Sequence, residues 1–87
     1  MKINILYRPS TEYARMVEEF AHDFTRQHGA KTELVSLDTR EGAAMASLYD
    51  IMEFPCIMVL RDDGQMSNSW CGDKLPLMND VMAAFRS

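Results

Sequence analysis

Phe54-Pro55-Cys56-Ile57-Met58-Val59-Leu60, followed by Arg61-Asp62-Asp63-Gly64, decides how this chain folds. From Pro55 onward the run is apolar at every position, so an extended strand here needs cover on both faces and belongs in the middle of a sheet. Arg61-Asp62-Asp63-Gly64 has the chemistry of a type I turn completed by a glycine bulge, which returns the chain antiparallel. In the returning strand, Gln65 to Cys71, the residues Met66, Asn68 and Trp70 alternate with Ser67, Ser69 and Cys71, a half-polar pattern that suits a sheet edge. A three-residue bulged turn pairs Cys56 with Trp70, whereas a four-residue turn pairs it with Cys71. Gly64 favours the first, so the expectation is two reduced thiols without a bridge.

Upstream, Lys2 to Tyr7 reads as a strand that ends at Arg8-Pro9. Ser10 or Thr11 then stands where a helix N-cap belongs, with Glu12 in the first turn. Tyr13, Met16, Val17, Phe20, Ala21 and Phe24 recur at helical spacing, opposite Arg15, Glu18, Glu19, His22 and Arg26. Gly29 stops this amphipathic helix. Thr32 to Leu37 is a second strand, and a long helix between two strands is the usual crossover of a parallel pair. Asp38-Thr39-Arg40-Glu41 has capping-box spacing and opens a shorter helix that runs to about Tyr49. After Gly72-Asp73, the positions Leu75, Met78, Val81, Met82 and Phe85 make the apolar face of a closing helix, with Pro76 in its first turn.

The chain has 87 residues, which fit one domain spanning 1–87 and leave no room for a second, because domains below about 50 residues rarely stand alone. Nine Lys and Arg against thirteen Asp and Glu give a net charge of −4, with no basic block, which argues against a nucleic-acid partner. Phe54 to Leu60, the longest apolar run, is far short of the roughly 20 residues that cross a bilayer. Met1-Lys2 leads directly into strand-like sequence with no export core, so a cytoplasmic setting is expected. Two cysteines are far below the density of a disulfide scaffold.

The order βαβαββα resembles a minimal thioredoxin-like domain of glutaredoxin size, an α/β fold with a four-stranded mixed sheet and three helices. Leu48-Tyr49-Asp50-Ile51-Met52-Glu53-Phe54-Pro55 is similar to that family's short helix, aromatic residue and loop ending in a cis-proline. Asp63-Gly64 matches its hairpin turn, and Gly72 matches the glycine that lets a partner approach. The departure lies in the C-x-x-C that opens the family's first long helix. Here Ser10, Thr11, Glu12, Tyr13 and Ala14 fill that window, and none is a cysteine. Dithiol exchange needs a thiolate held by the helix N-terminus and a second thiol to resolve the mixed disulfide, roles no hydroxyl can take.

The resemblance implies peptide capture at Phe54, the residue before the cis-proline, through its backbone N–H and C=O. Tyr13, Phe54, Pro55, Trp70, Cys71 and Gly72 are the candidate peptide-binding surface, with Arg8 and Glu12 at the rim. Cys56 and Cys71 are the candidate redox residues. Cys56 is expected to be a small buried residue of the central strand, and Trp70 and Tyr13 are equally well read as core. His22 sits on a polar face and His28 near a helix end, so neither signals a metal, and no cofactor is implied. Met16, Met45, Met58, Met78 and Met82 fall at core-facing positions. The leading expectation is a non-catalytic module that binds an extended peptide or protein segment. The alternatives are a divergent thiol oxidoreductase using Cys56 or Cys71, and an assembly domain forming a homodimer through a sheet edge or helix face.

Overall fold

Alternation along the first strand sends Ile3 and Ile5 to one side and Asn4 and Leu6 to the other, and the fold is built around that division. A computed structural model describes residues 2–29, 31–72 and 75–86; Asp73, expected in the last turn, lies outside them. In chain order the elements are β1 (Lys2–Tyr7), α1 (Tyr13–His28), β2 (Thr32–Ser36), α2 (Arg40–Leu48), β3 (Cys56–Leu60), β4 (Met66–Cys71) and α3 (Met78–Arg86). The sheet order is β2-β1-β3-β4, with β1 and β2 parallel and the other pairs antiparallel. This is the four-stranded mixed sheet with three helices expected from the sequence, and β3 lies inside it with all five residues buried.

The first face gathers Ile3, Ile5, Ile57 and Val59 under Val17, Phe20, Ala21 and Phe24 of α1 and Val81 of α3. The second gathers Leu6, Cys56, Met58 and Leu60 with Ile51, and Met45, Ala46 and Tyr49 pack onto it from α2 and its end. The first turn of α2 comes so close to the end of β2 that a Cβ on Gly42 would lie 1.9 Å from the Ser36 carbonyl oxygen. Only glycine permits that approach.

Several local expectations need correction. The α1 cap is Glu12 in helical conformation, without a side-chain bond. Thr11 Oγ1 instead donates to the Arg8 carbonyl at 2.8 Å, a local turn that competes with capping. Thr39, not Asp38, caps α2, accepting from the Gly42 N–H at 3.0 Å, so Glu41 sits one position too early for a capping box. Leu77 supplies the first carbonyl of α3, which leaves Pro76 outside the helix. Met16 is exposed rather than core, on the flank of α1's apolar stripe.

The hairpin register also differs from expectation. Arg61 and Gln65 close the expected three-residue turn, with Gly64 left-handed at φ 88°. One extra residue then bulges from β4 between the partners of Leu60 and Val59, so Leu60 pairs with Met66 and Val59 with Asn68. That single step moves Cys56 from Trp70 to Cys71.

Candidate functional site

Besides the connection leaving Ser36, three connections meet at one end of the sheet: the loop leaving Tyr7, the loop entering Cys56, and the turn leaving Cys71. The Phe54–Pro55 peptide bond is cis. The Gly72 N–H donates to the Pro55 carbonyl at 3.0 Å, tying the second and third connections together. Gly72 has φ +113°, and a Cβ there would meet the Glu53 carboxylate at 3.3 Å, so the position is built for glycine. Among the described residues, no hydrogen bond engages the N–H or C=O of Phe54.

Beside this loop is a cavity of about 210 Å³ lined by Tyr7, Arg8, Thr11, Tyr13, Phe54 and Pro55. Its size suits one inserted side chain rather than a drug-sized ligand, whose pockets start near 300 Å³. The Arg8 guanidinium carbon lies 5.9 Å from the centre of the Phe54 ring, at the outer range of a cation–π contact. Tyr13, Phe54, Pro55 and Arg8 of the predicted surface therefore share one cavity wall.

Trp70 is not part of that wall. It pairs with Ile57 and packs on the first face with the α1 and α3 residues. Cys71 points to the opposite face, where it forms a disulfide with Cys56. The expectation of two free thiols is thus corrected by the β4 bulge. It makes the two cysteines a directly opposed pair without mutual main-chain bonds, the close kind, with Cα atoms 4.0 Å apart. Cys56 is fully buried and Cys71 half-buried.

Two lining residues carry no site signal in the sequence. Tyr7 reads there as the end of a strand, although a strand that ends where the crossover helix begins presents its last side chain to that end of the sheet. Thr11 reads as a cap, but its hydroxyl donates to the Arg8 carbonyl. Among the described residues, no group of three His, Cys, Asp or Glu side chains is placed to hold a metal ion.

The element order and the sheet order β2-β1-β3-β4 are those of a thioredoxin-like fold, and solved structures agree. Thioredoxin 1 from the thermophilic eubacterium Thermosipho africanus superposes with a TM-score of 0.71 over 99% of this chain and 91% of its own, at 9% identity. The thioredoxin f2 complex with ferredoxin:thioredoxin reductase gives 0.66 over 98% and 76% at 17% identity. A thioredoxin from Thermus thermophilus gives 0.58 over 97% and 69% at 16% identity. No family model and no curated protein sequence matches the chain.

Proposed function

We propose that this thioredoxin-fold domain is a protein-binding module that captures an extended segment at the Phe54–Pro55 loop, without dithiol catalysis. The observation that carries the reading is the conjunction of a side-chain-sized cavity with the free main-chain groups of Phe54 at its wall. An extended segment pairs with those groups and sets one side chain between Tyr7, Tyr13 and Phe54. Catalysis of the family kind has no starting point, because the window Ser10 to Ala14 contains no cysteine. In support of a protein as the partner, thioredoxin f2, a structural neighbour, occurs in complex with a reductase.

The rival reading is thiol–disulfide exchange through Cys56 and Cys71, and the half-buried Cys71 beside Gly72 is what favours it. A fully buried leaving sulfur, that of Cys56, weighs against rapid exchange. In the proposed cytoplasmic setting the bond would be under reducing pressure, so its state in cell extracts tests the setting.

Amide chemical-shift mapping with a pool of unstructured decapeptides tests the binding reading. Shifts should cluster on Tyr7, Arg8, Tyr13 and Phe54, Phe54→Ala should weaken binding about tenfold, and Glu18→Gln should not change it. Shifts confined to α2 would discard the site. Sustained turnover in insulin reduction would discard the non-catalytic part, and Cys56→Ser and Cys71→Ser would then identify the thiol in use.

A further inference from the structure

Two ties hold the end of the β3–β4 hairpin against the Phe54–Pro55 loop. One is the disulfide, whose Cys56 directly follows Pro55 and whose Cys71 directly precedes Gly72. The other is the Gly72 N–H bonded to the Pro55 carbonyl at 3.0 Å. In an antiparallel ladder the pair beyond Cys56–Cys71 exchanges two main-chain bonds, but Pro55 has no N–H to donate. Past the Ile57–Trp70 pair, therefore, one hydrogen bond and one covalent bond link the two strand ends among the described residues.

The two ends are anchored unequally. Cys56 is fully buried and pairs with Leu6 of β1 as well as with Cys71. Cys71 is half-buried, ends the edge strand and pairs with Cys56 alone. Loss of the covalent bond frees the Cys71–Gly72 side, while Trp70 stays on Ile57 and on the first face.

We infer that the Cys56–Cys71 disulfide is a redox latch on peptide capture: closed, it presets the Phe54 loop for an extended segment, and opened by a dithiol it weakens binding. This rests on the peptide-binding reading of the site. With the latch open, a lone hydrogen bond competes with water for the Pro55 carbonyl. The loop then samples conformations that do not match an extended segment, and apparent affinity falls with the competent fraction. By linkage, a captured segment opposes reduction by the same factor.

Opening needs an external dithiol. One of its thiolates attacks the half-buried Cys71 Sγ, the Cys56–Cys71 bond breaks, and Cys56 leaves as a thiolate. The second thiolate of the reductant attacks the reductant's own sulfur in that mixed disulfide, and Cys71 leaves. Two electrons pass to the protein, the dithiol's two protons end on Cys56 and Cys71, and the reductant becomes a disulfide. Because the leaving Cys56 is fully buried, the exchange is slow, which suits a latch rather than a turnover catalyst.

Amide-shift titration with a cysteine-free pool of unstructured decapeptides tests this on oxidised protein, on protein reduced with dithiothreitol, and on Cys71→Ser. The reduced protein and Cys71→Ser should both need about fivefold more peptide for half-saturation at Tyr7, Arg8, Tyr13 and Phe54. Hydrogen exchange at the Gly72 N–H should speed up about tenfold on reduction, and that at Trp70 should not change. Equal affinity of the folded oxidised and reduced forms, or tighter binding after reduction, would overturn the latch and leave peptide capture standing. An effect of dithiothreitol that persists in Cys71→Ser would also overturn it. Absence of saturable shifts in every form would remove the capture reading and the latch with it. Should Cys71→Ser fail to fold, the reduced wild type decides, and a reduced chain that circular dichroism shows unfolded would overturn the latch, which needs the fold to survive opening.

Discussion

The two faces of the sheet are made by the same strands yet differ in chemistry. On the first, β1 and β3 present Ile3, Ile5, Ile57 and Val59, β-branched side chains with few rotamers, and two helices cover them. On the second, the same strands present Asn4, Leu6, Cys56 and Met58, and one short helix covers them with Met45. Met66 and Cys71 add further sulfur to that side. The first face is stiff and closed; the second is held by unbranched, adaptable side chains and a covalent bond. The cis-proline loop belongs to the second, since Phe54 packs there, and the entry to α1 leads into the first. The cavity sits at the seam between them, where a binding surface can adjust on one side while anchored on the other.

Truncation should expose this difference most strongly. Phe24 is fully buried and stacks near Phe20, with ring centroids 6.0 Å apart, so Phe24→Ala should cost about 4 kcal/mol in urea denaturation. Met58→Ala, a truncation at an equally buried site on the other face, should cost about 2 kcal/mol, the low end for such changes, because the neighbouring unbranched side chains collapse into the space. Equal losses at the two sites would erase the distinction.

Covalent support of the second face is the next largest effect. Cys56 and Cys71 are separated by 15 positions, and closing a loop of about that length restrains the unfolded chain by roughly 3 kcal/mol. The hairpin turn already restricts the same segment, so a dithiol reductant should lower stability by about 2 kcal/mol. The Trp70 emission maximum should remain unchanged in the folded reduced protein, since Trp70 packs on the first face. A shifted maximum would mean that the faces are coupled through β4.

How legible each part was in the sequence follows from how local its cause is. The strands and helices were readable because Ile3-Asn4-Ile5-Leu6 alternates and Val17, Phe20, Ala21 and Phe24 repeat every three or four residues. The turn at Gly64 was readable from turn chemistry. The bulge in β4 was not, because nothing in Met66-Ser67-Asn68 marks an extra residue. The disulfide was lost with it, since one residue of register separates Cys71 from Cys56. Phe54, Pro55 and Tyr13 were legible as a site only through the order of elements, whereas Trp70 was drawn in by its nearness in sequence to Gly72. Strand alternation sends it to the other face.

Asn4 gives the finest test of the contrast, because it is the one buried polar side chain among the described residues, at 3% exposure. Its Nδ2 approaches the Met45 sulfur at 3.7 Å, a weak acceptor, and its Oδ1 has no partner. An unpaired buried amide oxygen forfeits its bonds to water, at a cost of about 1–3 kcal/mol. Leucine has a similar volume and no such debt, and the surroundings, Leu6, Met58 and Met45, are apolar. Asn4→Leu should therefore stabilise the fold by about 1 kcal/mol, read as a higher urea midpoint with an unchanged slope. On the first face no comparable gain exists, since Ile3 and Ile5 are already apolar and buried. Destabilisation by Asn4→Leu would mean that Oδ1 is satisfied by a buried water, and the second face would then be a hydrated layer beneath the cis-proline loop rather than a dry one.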